Sequence, residues 1–202
     1  MFFSFEGIDG SGKSTQSRLL AEALRDDGLE VVEVREPGGT PLGESIRSLL
    51  LDSSYQIDER AELLLFSAAR AQLVVDVIEP ALARGAIVVA DRFYDSSTAY
   101  QGGGRRLAEG DWMTSLHQFA TQSRSPNRTY LIDVPVEVGE QRRAAESPDR
   151  IEEGGRSFYQ RVRDSYLKLA SLDRVLVLDG RQSIRDLSEQ IRDDAAAYVS
   201  GR

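Results

Sequence analysis

The chain has 202 residues, 41% apolar and 29% charged, enough for one folded domain with a proper core. Its formal charge of −8 argues against polynucleotide binding, which works through a basic footprint, and no apolar run approaches the ~18 residues that span a bilayer. With no cysteine, disulfides and thiolate metal sites are excluded, and the lack of an export signal favours the cytoplasm. Only Lys13 and Lys168 are lysines, so arginine carries the positive charge. Its planar fork suits bidentate grips on phosphate, although a GC-rich genome would give the same bias.

Met1–Phe5 is too short for a signal peptide and lacks a basic flank, so Phe2–Phe5 is read as a strand. A helix after Ser14 carries Leu19, Leu20, Ala23 and Leu24 on one face. Strand Val31–Val34 leads into a Pro/Gly stretch, Arg35–Pro41. A longer helix is striped by Leu63, Leu64, Ser67, Ala71, Val74, Val75 and Ile78. Strand Ala86–Ala90 is followed by Gln101-Gly102-Gly103-Gly104-Arg105-Arg106, read as a loop. His117 lies in a helical stretch and is assigned to structure; Trp112 is assigned to packing or an interface. Strand Thr129–Val134, a Pro/Gly-containing stretch at 146–155, strand Val175–Leu178 and a helix from Ile184 to about Val199 complete the order. Alternating strands and helices predict right-handed crossovers and a five-stranded parallel sheet flanked by helices. No repeat or linker divides the chain, so residues 1–202 are expected to form one α/β domain, with a small mobile lid at about 142–155.

Gly7-Ile8-Asp9-Gly10-Ser11-Gly12-Lys13-Ser14 satisfies the G-x-x-x-x-G-K-[ST] pattern between a strand and a helix. This predicts a P-loop NTPase three-layer fold, with residues Gly7 to Thr15 cradling the phosphates of ATP. The glycines let backbone N–H groups turn inward, and the helix N-terminus favours the anion. Lys13 would reach the β- and γ-phosphates, and Ser14 would ligate Mg²⁺. Asp91, at the end of an apolar strand, fits a second Mg²⁺ ligand. No guanine-reading Asn/Thr-Lys-x-Asp sequence is present, and large motor or transporter ATPases need a longer chain. A small-molecule kinase remains.

Four segments resemble bacterial thymidylate (dTMP) kinases in order and spacing: Phe5–Gln16, Arg35–Thr40, Asp91–Gly102 and Asp149–Glu152. The likeness extends to Ile46–Leu51 and Phe66–Arg70, nearly the whole chain. It implies transfer of the ATP γ-phosphate to dTMP, in the cytoplasm, by a homodimer for which the helix around Leu63 to Ile78 is a candidate face. By the same resemblance Phe66 stacks on thymine, Arg70 and Gln101 bond its edge, Arg47 and Arg92 grip the monophosphate, and Asp9 and Glu36 lie near the 3′-hydroxyl and metal–phosphate region. Ser97 and Tyr100 close the nucleoside pocket.

The chain departs from the family at the lid, where Arg142-Arg143-Ala144-Ala145 lacks the usual Arg-Gly pair, and at Gly10, where eukaryotic relatives carry a catalytic arginine. Another arginine is therefore expected at the γ-phosphate: Arg143 or Arg150, with Arg142 next. A rival is a deoxynucleoside kinase using Glu36 as base; the cluster Arg47, Arg70 and Arg92 argues for an acceptor already carrying phosphate. A catalytically silent ATP-binding protein is a second rival.

Overall fold

Five short runs rich in Val, Ile, Leu and Phe pair as an all-parallel sheet in the computed structural model, which describes residues 1–107, 111–144, 150–151 and 154–200. The strands are β1 (Phe2–Glu6), β2 (Val31–Arg35), β3 (Ile87–Asp91), β4 (Arg128–Asp133) and β5 (Val175–Asp179), in the order β2-β3-β1-β4-β5. Every residue of β1 is buried, the expected signature of a strand covered on both faces. Each strand lies within one or two residues of its sequence-based position. Among the described residues no helix is long and apolar enough to cross a membrane.

Among the described residues nine α-helices connect and cover the sheet: α1 (Lys13–Asp26), α2 (Pro41–Leu51), α3 (Glu59–Leu73), α4 (Glu79–Ala83), α5 (Tyr94–Ser97), α6 (Trp112–Thr121), α7 (Val136–Arg143), α8 (Gly155–Lys168) and α9 (Ile184–Ser200). On one face, Leu20, Leu24, Leu187 and Ile191 of α1 and α9 pack against Phe3, Phe5, Val89 and Ile132. On the other, Leu73, Val74 and Ile78 cover Phe2, Val88 and Ala90. Sequence signals set the helix starts: Thr40 Oγ1 accepts from Gly43 N at 2.9 Å with Pro41 at the first helical position, and Asp58 Oδ1 accepts from Arg60 N at 2.9 Å.

Two segments differ from the sequence-based reading. Val74–Ile78 is a π-helical stretch after α3. The apolar stripe does not stay on one face: Val75, within the widened turn, is exposed between buried Val74 and Ile78, and Leu64, in regular α3, is exposed beside buried Leu63. Thr98–Gly104 is likewise π-helical and not a loop. Its glycines serve close approach of α8: a Cβ on Gly104 would meet Phe158 Cε2 at 2.5 Å. Arg161 of α8 clasps Gly104 O with Nε at 3.0 Å and Nη2 at 2.9 Å.

Strand register assembles the carboxyl edge of the sheet. Phe5 lies opposite Asp91, and Asp91 opposite Arg35, so the residues that follow β1, β2 and β3 open onto one place. Ligands of open α/β sheets bind at this edge.

Candidate active site

The turn after β1 is the P-loop expected from sequence. Gly12, with φ 100°, is the N-cap of α1, which has neither a side-chain cap nor an acidic residue in its first turn. Its leading amides and helix dipole are therefore available to an anion. Gly10, with φ 77°, packs on α7 so closely that a Cβ there would meet Gly139 O at 2.6 Å. A side chain at this position would push against α7 as it is packed here. Ser14 is exposed at the helix start, and Lys13 is buried with Nζ 3.4 Å from Asp9 Oδ1. Burial, followed by the charge of Arg92, pushes the Lys13 ammonium below its usual range.

Arg92 and Asp9 form the centre of the site. Arg92 holds φ 74°, an uncommon conformation for a non-glycine residue, and both terminal nitrogens of its guanidinium make hydrogen bonds. Nη1 donates to Gly7 O, Ser96 Oγ and Tyr166 Oη, each at 3.1 Å; Nη2 donates to Asp9 Oδ1 and, at 3.1 Å, to Tyr100 Oη. Asp9 Oδ2 accepts from Tyr100 Oη at 2.7 Å and from Tyr159 Oη at 3.2 Å. Burial alone would raise the Asp9 carboxyl, but Arg92, Lys13 and the Tyr100 hydroxyl hold it well below the usual carboxylate range. Beneath this layer, fully buried Glu6 accepts from Phe93 N at 2.7 Å, Ser96 Oγ at 2.6 Å and Tyr166 Oη at 2.9 Å. Burial and the nearby Asp95 carboxylate push Glu6 up to about 7.

These residues border a cavity of about 240 Å³ at the sheet edge. Lys13, Arg35, Arg47 and Arg92 line it with Asp9, Glu36 and Asp91; Leu51, Phe66, Gln101 and Ile151 supply an apolar wall with one amide. Arg47 donates to Pro37 O at 2.9 Å across the Glu36–Pro37 turn. Arg70 does not line the cavity: it is 1% exposed and grips buried Glu36 through Nε (2.8 Å) and Nη2 (2.6 Å to Oε2). Its Nη2 also donates to Ser97 Oγ at 3.1 Å, while Nη1 has no acceptor. Burial raises the Glu36 carboxyl against the opposing pull of Arg70.

The three lid arginines go to three different places. Arg142 staples the outside of the P-loop: Nη1 donates to Gly10 O and Ser11 O, both at 3.2 Å, and Nη2 to Gly180 O at 2.9 Å. Arg143 lies over the Tyr159 ring, 4.5 Å from its centroid, and its charge lowers the Asp9 carboxyl. Arg150 donates from Nε to Leu50 O at 2.8 Å, with Nη2 2.7 Å from Glu62 Oε2. Asp149 and Glu152, and with them half of the expected 142–155 lid, lie outside the described residues.

The family model for thymidylate kinase matches residues 5–191. The chain belongs to the thymidylate kinase family. It is 48% identical to the thymidylate kinase of Thermosipho africanus over 193 residues, covering 95% of this chain and 96% of that protein. It is 50% identical to the thymidylate kinase of Kosmotoga olearia over 194 residues, covering 95% and 93%. With the Fervidobacterium nodosum thymidylate kinase the identity is 47% over 200 residues, 98% and 100% of the two chains. Membership in the thymidylate kinase family makes the chain an enzyme, a kinase of the nucleoside monophosphate class.

A divalent cation fits the residues present. Among the described residues no group of three or more His, Asp or Glu side chains could hold a metal by itself. A site shared with phosphates needs fewer, and Asp91 Oδ1 is buried with no hydrogen-bond partner beside the P-loop. The sequence reading missed Glu6, Glu62, Ser96, Tyr159 and Tyr166. Glu62 had a readable signal, since it stands four and eight residues before Phe66 and Arg70 on one helix face. The tyrosines lie some 150 residues from Asp9, and nothing local announces them.

Proposed function

We propose that this thymidylate kinase family member transfers the ATP γ-phosphate to dTMP, giving dTDP and ADP. The observation that carries the reading is the cavity in which cations and an apolar wall meet at the mouth of an uncapped P-loop. A monophosphate suits Arg47 and Arg92, and a pyrimidine suits Phe66, Leu51, Ile151 and the Gln101 amide. A phosphate oxygen of dTMP, already anionic, attacks the γ-phosphorus and ADP leaves, so no protein nucleophile is needed.

The chain's own residues position and neutralise. The amides of Gly10 to Ser14 and Lys13 hold the ATP phosphates; Arg92, locked on Asp9 and Gly7 O, fixes the acceptor phosphate; Arg143 neutralises charge that develops at the γ-phosphate. Magnesium, held by the Ser14 hydroxyl and the Asp91 carboxylate, supplies further neutralisation of the phosphate oxygens when bound. The alternative use of Glu36 as base for a nucleoside hydroxyl is disfavoured, because its carboxylate is tied to Arg70. A second copy of the chain is proposed against the groove of Arg60, Leu63, Leu64, Arg106, Leu107 and Trp112, where Leu64 is 58% and Trp112 44% exposed.

The test is ADP release with ATP, Mg²⁺ and a panel of dTMP, dUMP, dCMP, dAMP, dGMP and thymidine. Fast, Mg²⁺-dependent turnover with dTMP above all others is expected. Preference for thymidine would restore Glu36 as base, and silence on the panel would leave only the fold.

A further inference from the structure

A carboxylate that takes no part in phosphate chemistry sits behind the apolar wall of the cavity. Glu62 is 1% exposed. Its Oε1 accepts from Gln101 Nε2 at 2.9 Å and from Arg105 Nε at 3.3 Å; its Oε2 accepts from Arg105 Nη2 at 3.2 Å and lies 2.7 Å from Arg150 Nη2. Two guanidiniums satisfy the charge of this buried group, which would otherwise be costly. The neutral partner, Gln101, is the informative one. An ionised carboxylate only accepts, so its bond to Gln101 fixes which end of that amide is nitrogen. With the nitrogen held by Glu62, the oxygen is the end that Gln101 turns away from it, and Gln101 lines the cavity alongside Phe66, Leu51 and Ile151.

We propose that Glu62 is a positioning residue for base selection. By holding the Gln101 nitrogen, it makes Gln101 present a hydrogen-bond acceptor to the base. An acceptor suits a pyrimidine with a proton on N3, as in thymine and uracil, and opposes cytosine, whose N3 is itself an acceptor. A free glutamine would serve either base by turning its amide over. The same carboxylate anchors Arg150, whose neighbour Ile151 borders the cavity, so base selection and seating of that segment share one anchor. The inference rests on the proposed reading that the base lies against Phe66.

The experiment compares kcat/KM for dTMP and dCMP in the wild type, Glu62→Gln, Glu62→Asp and Gln101→Leu, with thermal midpoints measured alongside. Glu62→Gln offers an N–H to the Gln101 oxygen and lets the amide reverse; Glu62→Asp keeps the charge but withdraws it by one methylene. Both are expected to lower the dTMP:dCMP ratio by about tenfold or more, the scale of one mismatched hydrogen bond. The double variant Glu62→Gln/Gln101→Leu should show no lower a ratio than Gln101→Leu. A purely structural Glu62 would lower both substrates equally and leave the ratio unchanged, which overturns the proposal. If Gln101→Leu also leaves the ratio unchanged, the base lies elsewhere and the underlying reading falls too. Should neither Glu62 variant fold, the wild type decides with 3-methyl-dTMP, which lacks the N3 proton. A loss of about 100-fold in kcat/KM relative to dTMP is expected, and equal turnover overturns the proposal.

Discussion

Replacing Arg143 by alanine should lower kcat and also weaken ATP binding by the share of its interaction that exists before reaction, with dTMP affinity close to that of the parent enzyme. The guanidinium sits over Tyr159, whose hydroxyl bonds Asp9, so a unit positive charge stands beside the P-loop mouth. A charge about 4 Å from a phosphoryl oxygen interacts by about 4 kcal/mol at an effective dielectric constant near 20. Part of that is already present in the ground state, because ATP carries its γ-charge before reaction. If half arises only as charge shifts in the transition state, about 2 kcal/mol is lost, a fall of roughly 30-fold in kcat. The upper bound, with all of it differential, is about 1,000-fold. Single-turnover phosphoryl transfer at saturating ATP and dTMP, analysed by quench flow, isolates the step. Arg142→Ala is the control: it frees three backbone carbonyls of the P-loop and Gly180 turns, so it should raise KM for ATP more than it lowers kcat. A turnover for Arg143→Ala equal to that of the parent would refute the assignment and pass the role to Arg150.

Three further outcomes follow from contacts already described. Gly10→Ala forces a Cβ against Gly139 O and should raise KM for ATP at least about tenfold by displacing the P-loop amides, read by ATP titration. Glu36→Leu should destabilise the protein by about 3–5 kcal/mol by stranding buried Arg70, whereas Glu36→Leu/Arg70→Met should recover most of that in thermal denaturation without recovering activity. Glu6 is raised from 4.5 to about 7, so the folded state binds its proton more tightly than the unfolded chain. Its contribution to stability is full below about pH 4.5 and is lost as pH rises through 7. Glu6→Gln should therefore flatten stability across that window in urea titrations; a slope unchanged from the parent would place the ionisation elsewhere.

The sheet and the phosphate cradle were legible because their signals are local. Apolar runs of five residues ended by Asp, Arg or Glu mark the strands, and Gly7–Ser14 needs only neighbouring glycines to turn amides inward. Legibility failed where a long-range contact decides the meaning of a local pattern. Gly102–Gly104 reads as a turn by composition, yet it is π-helical, and its glycines answer to the close approach of α8, which leaves no room for a side chain at Gly104. The stripe through Val74, Val75 and Ile78 assumed a constant 3.6-residue period, which the π-helical stretch at Val74–Ile78 breaks.

The arginines show the same limit at the level of the site. Arg142, Arg143 and Arg150 look interchangeable in the sequence, but one faces carbonyls, one an aromatic ring beside a carboxylate, and one a buried glutamate. Their charges are equal, so what differs is the extent to which each is already spent. An arginine donating to three carbonyls is held in place and can stiffen the cradle, whereas Arg143, which donates to Tyr159 Oη at 3.3 Å and lies on that ring, carries its charge to the Asp9 carboxylate. Function in this site is therefore set less by which residues are basic than by which acceptors the fold has already given them. That is also why Glu62 matters: by occupying the nitrogen of Gln101 it decides what remains for the base.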